Sequence, residues 1–148
     1  MLTNTTMSNQ SRLYRVLYRD YLKYCQQIGI TPENRPLFLI TKFELLNTLQ
    51  DYLISFPELK KINRQLRKIS GKYFRFGDLK IIYVDTETKF RILDGGREKT
   101  VVTYQDLVRT MVHELVHCRF NLAHGRKFSS KVKEILEGKS FPNMYRTN

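Results

Sequence analysis

The chain has 148 residues, 41% of them hydrophobic, and carries 26 Lys and Arg against 14 Asp and Glu, a formal net charge of +12. That length suits one domain around one core, and two cysteines, Cys25 and Cys118, are too few for a disulfide framework. With no signal-peptide pattern and no stretch near membrane-spanning length, a soluble, intracellular protein (cytoplasmic or nuclear) is expected, with no membrane span and a polyanionic partner, nucleic acid ahead of an anionic membrane surface.

Residues 1–10 are polar and rich in Asn and Thr, and they are expected to be disordered. The domain proper then runs over 11–148. Residues 11–28 read as a helix, with Leu13, Val16, Leu17, Tyr21, Tyr24 and Ile28 near one face and Arg12, Arg15, Arg19 and Lys23 largely on the other. The basic face can meet phosphates and the tyrosines can stack on bases; a solvated face over a tyrosine-rich core fits equally. Gly29, Thr31-Pro32 and Pro36 make 29–36 a loop. Residues 37–55 read as a second helix with Phe38, Leu45, Leu46, Leu49, Leu53 and Ile54 inward, and Pro57 ends it or starts the next element. Residues 58–69 form a third, shorter helix.

From Lys60 to Phe76 the chain has seven basic residues and no acidic one: Lys60, Lys61, Arg64, Arg67, Lys68, Lys72 and Arg75. This run is the candidate nucleic-acid contact, set against a merely solvated helix face. Strands are expected at 72–76 and 79–85 around a Gly77-Asp78 turn, at 89–93, and as a short edge at Val101-Val102 after a turn at Asp94-Gly95-Gly96. A helix follows over 103–120, opened by a Thr103–Asp106 cap, then a closing helix over 126–137 and a basic tail over 138–148. The fold class is α+β: N-terminal helices, a small three- to four-stranded sheet, then two helices.

All three histidines fall within residues 111–128. His113 and His117 are spaced i, i+4, which on a helix places both imidazoles on one face, where they can converge on one metal ion. Glu114, one step round from His113, can act on a water at that ion as general base without being a ligand. Leu107, Val108, Met111, Val112, Leu115 and Val116 form an apolar stripe beside a more polar one of Asp106, Thr110, His113 and His117. A catalytic zinc needs a third ligand and an open position. His124 is the expected one, and a straight helix would carry it about 10.5 Å past His117. The helix must therefore stop near Phe120–Leu122, with Asn121 as its left-handed cap, and turn back. Glu134 and Glu137 are alternative third ligands. Cys118, turned about 100° from His117, reads as packing. The chemistry expected is zinc-assisted hydrolysis of an amide bond, with Glu114 as base and His113, His117 and His124 on the metal.

His-Glu-Leu-Val-His, six residues, then His-Gly-Arg-Lys-Phe resembles the SprT-like group of zincins and the related WLM and YgjP-type metallopeptidases. The resemblance spans roughly residues 70–137, and its specific part is 111–128. It implies a zincin-like fold, His113, His117 and His124 as zinc ligands, Glu114 as base, Phe128 as an apolar anchor, and proteolysis of proteins on DNA, crosslinked ones included, as in DNA repair. Many SprT-like proteins add a cysteine-rich zinc ribbon, for which two cysteines leave no material. A monomer acting on a protein or peptide substrate is expected. Arg126 and Tyr145 are the candidates for an oxyanion donor. Two other readings stand beside this one: a zinc peptidase with a regulatory or processing substrate and no DNA role, and a basic nucleic-acid-binding module with a structural or degenerate zinc site.

Overall fold

The computed structural model describes residues 4–86, 89–93, 96–100 and 103–144, with backbone alone for 4–10 and for the strands between 89 and 100. Helix α1 runs Asn4–Gln27. It begins seven residues earlier than the sequence reading placed it, so residues 4–10 are helical rather than disordered. No Gly or Pro interrupts 4–27, and once the amphipathic part of a helix exists each added residue costs little. Leu17, Tyr21, Cys25 and Ile28 are buried, and the Tyr21 hydroxyl donates to the Pro36 carbonyl. Tyr21 therefore belongs to the core and cannot stack on bases.

The expected second helix over 37–55 is two elements. Strand β1 covers Leu37–Leu39 and helix α2 covers Lys42–Asp51, opened by the Thr41 hydroxyl accepting from the Glu44 amide. Leu53, expected inward, is 90% exposed and takes a left-handed φ of 60°. Helix α3 is Phe56–Gln65, with Ser55 as N-cap and Pro57 in its first turn. There proline's missing amide hydrogen is not needed, so Pro57 starts this helix rather than ending the previous one.

Strands β2 (Gly71–Phe76) and β3 (Leu79–Val84) form an antiparallel hairpin, and β1 pairs parallel to β3, giving the order β1-β3-β2. Strands β4 (Lys89–Leu93) and β5 (Gly96–Thr100) make a separate two-stranded antiparallel ribbon. The third strand read from the sequence thus lies in that ribbon, Gly96 opens a strand rather than completing a turn, and Val101-Val102 lie outside the described residues. The main sheet has three strands of mixed direction. Helices α4 (Tyr104–Phe120) and α5 (Arg126–Leu136) complete the chain. Among the described residues no helix is long and apolar enough to cross a membrane.

The sheet separates two apolar clusters. Phe38, Ile82 and Val84 pack with α1, α4 and α5, while Leu39, Phe74, Ile81 and Tyr83 pack with α2 and α3. Central β3 is buried on both faces from Ile81 to Val84, which is why its sequence is a continuous apolar run and not an alternating one. The segment after α5 is laid along the end of α1: the Phe141 amide donates to Gln27 O and the Met144 amide to Gly29 O, both at 2.8 Å. Gly29 takes φ +80°, and a Cβ there would lie 2.0 Å from the Pro142 carbonyl oxygen. Arg119, near the end of α4, donates from Nε to Ile28 O at 2.8 Å. These bonds tie the C-terminal end of α4 to the scaffold and so fix the place from which the chain must turn back.

Candidate metal centre

Helix α4 starts at a reciprocal capping box: the Thr103 hydroxyl accepts from the Asp106 amide at 3.1 Å and the Asp106 carboxylate accepts from the Thr103 amide at 3.2 Å. That arrangement lowers the Asp106 pKa, through the hydrogen bonds it receives from Thr103. Leu107, Met111, Val112, Leu115 and Val116 are buried and anchor the helix against the sheet and α1. This leaves His113 and His117 half-buried on the cleft side. The helix ends at Phe120 because Asn121 adopts φ 51°, ψ 41° with its amide donating back to the His117 carbonyl. Asparagine tolerates this left-handed conformation better than most side chains. Three residues later the returning loop delivers His124.

The three histidines meet. His124 Nε2 lies 3.0 Å from Nε2 of His113 and 3.0 Å from Nε2 of His117. One ligand atom from each lies within 4.8 Å of the others, and among the described residues no carboxylate or thiol joins the group. Phe128, 3% exposed, packs under all three rings with centroid distances of 4.5, 4.4 and 5.0 Å to His113, His117 and His124. His117 Nδ1 is 3.0 Å from the Leu122 carbonyl oxygen. A carbonyl only accepts, so this contact puts the ring proton on Nδ1 and leaves Nε2 as a lone pair. The turn that returns the chain therefore also sets the tautomer that a metal requires.

The donor set fits a divalent ion. Nitrogens about 2.0–2.1 Å from a tetrahedral centre lie about 3.3 Å apart, and the two spacings to His124 Nε2, 3.0 Å each, are within a few tenths of an ångström of that. The three rings cannot satisfy each other, since His124 Nε2 faces two nitrogens and carries at most one hydrogen. Burial and the two neighbouring histidines push the His113 pKa down to about 4, and burial depresses that of His117. Both rings are thus neutral at pH 7, as ligands must be.

Glu114 is 6% exposed, and its Oε1 accepts the Tyr73 amide hydrogen at 3.0 Å. Burial raises its pKa to about 7, against the opposing pull of that bond and of Lys72. Close approach of β2 to α4 makes the bond possible: a Cβ on Gly71 would sit 2.6 Å from Thr110 Cγ2 and 2.7 Å from Tyr83 O. A cleft of about 480 Å3 opens here, lined by Ile69, Gly71, Lys72, Tyr73, Asn121, Glu114 and the three histidines.

The alternative ligands lie elsewhere. Glu134 pairs with Lys139 at 3.3 Å, and Glu137 caps the end of α5. Arg126 is exposed in the first turn of α5 and does not line the cleft, and Tyr145 lies outside the described residues. Cys118 is partly buried against the core, which raises its pKa. Of the basic run, Lys60, Lys61, Arg64, Arg67, Lys68 and Arg75 are exposed, whereas Lys72 is half-buried and lines the cleft. Comparison of the chain with family models, with curated proteins and with solved structures finds no match.

Sequence reasoning missed the Tyr73 amide, the Leu122 carbonyl, Gly71 and the second position of Lys72. Two of these are backbone groups, which leave no trace in residue type. A glycine opening the strand Gly71–Phe76 was a readable hint of close backbone approach.

Proposed function

We propose that this chain is a zinc-dependent peptidase acting on proteins held on DNA. The observation that carries the proposal is the convergence of His113, His117 and His124 in the lining of a cleft where, among the described residues, Glu114 is the one carboxylate. Zinc held by the three histidines would supply a Lewis acid that polarises the scissile carbonyl and acidifies water. His117 is aimed by Leu122 and its ring is seated on Phe128. Glu114 keeps Oε1 on the Tyr73 amide and has Oε2 to accept the proton of the attacking water and pass it to the leaving amine. Among the described residues strand β2 is paired on one side only, with β3, and Lys72 and Tyr73 line the cleft, where an extended peptide can add as a further strand. The DNA part of the reading is supported by the net charge and by the exposed cations of α3.

The test is cleavage of a DNA-binding protein by the zinc-loaded chain, with and without single-stranded DNA. Glu114→Gln is expected to keep the metal and lose about 10²–10⁴-fold in rate, and undiminished cleavage by that variant would remove Glu114 as base. Cleavage that ignores DNA would replace the DNA role with a processing or regulatory one. Bound DNA and zinc without cleavage would favour a nucleic-acid-binding module.

A further inference from the structure

Lys72 is the one member of the 60–76 basic run that is half-buried rather than exposed. Along β2, Tyr73 packs with the α1–α4 cluster, and Phe74 and Phe76 pack with the α2–α3 cluster. Alternation puts Lys72 on the α3 side with Phe74. Its ammonium donates to Gln65 Oε1 at 2.9 Å and lies 5.3 Å from the centroid of the Phe74 ring. Both anchors are neutral, and no ion pair of the described residues involves Lys72. A flexible ammonium is thus drawn partly out of water and held at the cleft with no carboxylate of the described residues in ion-pair contact, although a lysine with no task gains by extending into solvent. Among the described residues it is also the only cation lining the cleft, where its charge acts on Glu114, whose Oε1 accepts from the Tyr73 amide.

We infer that Lys72 is a specificity-determining residue that binds a carboxylate of the peptide lying in this cleft. The inference rests on the peptidase reading for its substrate class. A peptide added along the open edge of β2 sends alternate side chains to the two faces of the sheet. Those on the α3 side meet the Lys72 ammonium. An acidic side chain there replaces the neutral Gln65 oxygen by a carboxylate, so that an ion–dipole bond becomes a hydrogen-bonded ion pair. A chain-terminal carboxylate offers the same chemistry.

The experiment measures binding of fluorescent peptides to the zinc-loaded Glu114→Gln protein, so that hydrolysis does not enter. Peptide pairs differ by Asp against Asn at one position, each made with a free and an amidated C-terminus. The expected result is about tenfold tighter binding of the acidic member, as a bond to a charged group supplies. The preference should be lost in Lys72→Gln and kept in Lys72→Arg. Lys133→Gln, which removes an exposed charge on α5, should leave it unchanged and so corrects for the net charge. A preference that follows the free terminus identifies the terminal carboxylate as the source; one that follows Asp identifies the side chain. Equal binding of Asp and Asn peptides, a preference that survives Lys72→Gln, a loss matched by Lys133→Gln, or no peptide binding overturns the inference. If binding is charge-selective but the protein with Glu114 restored cleaves none of these peptides, the peptidase reading fails and the Lys72 site stands.

Discussion

Burial acts on Glu114 and on its neighbouring histidines in opposite directions, and this sets the pH behaviour of the metal-free protein. The His113 pKa is depressed from 6.5 to about 4. Its contribution to stability is therefore present above pH 6.5 and is lost as pH falls through about 4. The Glu114 pKa is raised from 4.5 to about 7. Its contribution is present below pH 4.5 and is lost as pH rises through about 7. Between pH 4.5 and 6.5 the two offset one another. In Glu114→Gln only the histidine arm remains, so the urea midpoint of the metal-free variant should climb across that window and exceed the wild-type midpoint at pH 7.5. A constant difference between the two proteins at all pH values would contradict this. His124 makes a second residue-scale prediction. Its ring is exposed on a loop, so His124→Ala should leave the circular dichroism spectrum unchanged and weaken zinc by more than the about 10–100-fold typical of losing an outer hydrogen-bond partner. Competition with a chromophoric chelator measures it. Glu134→Ala should have no effect, and the reverse pattern would move the third ligand.

Local chemistry decides some elements here and not others. Helix α4 was legible at both ends because its stop and start are local: Thr103 and Asp106 cap each other, and Asn121 turns the chain. Strand β1 was not legible. Leu37-Phe38-Leu39 reads equally as the first turn of a helix, and its strand state depends on pairing with Ile81, Ile82 and Tyr83 some forty residues later. The corner between α2 and α3 was misread for the same reason: Leu53 fits the apolar spacing of a helix that ends at Asp51. At φ 60° a leucine carries a cost of about 1–2 kcal/mol that glycine avoids. With the side chain 90% exposed, its removal sacrifices little packing. Leu53→Gly should therefore stabilise the protein by about 0.5–1 kcal/mol after the entropy glycine adds to the unfolded chain. Chemical denaturation tests this, and a destabilised variant would show that Leu53 has a packing partner after all.

At the scale of the molecule, a basic surface adjoins the metal cleft, which Ile69 and Lys72 line. Lys60, Lys61, Arg64, Arg67 and Lys68 are exposed on and just after α3, and the metal cleft begins at the next residue, Ile69. If the α3 cations meet phosphates, DNA affinity should fall steeply with salt, and Lys61→Gln with Arg64→Gln should reduce the slope by about 0.9 for each phosphate no longer neutralised. An unchanged slope would assign the charge to solvation alone. The sequence by itself determined the features that depend on near neighbours: the i, i+4 pair His113 and His117 with Glu114 between them, the cap and stop of α4, and the return that makes His124 available. Their physics is contained within a few turns of chain. Only the tertiary structure decided which donors meet and what surrounds them. The contact of His124 with both other rings, the Tyr73 amide on Glu114, the approach that Gly71 permits and the place of Lys72 in the cleft join groups on separate elements. Such contacts follow from how the sheet and α4 pack, and residue order alone does not encode a distance between elements.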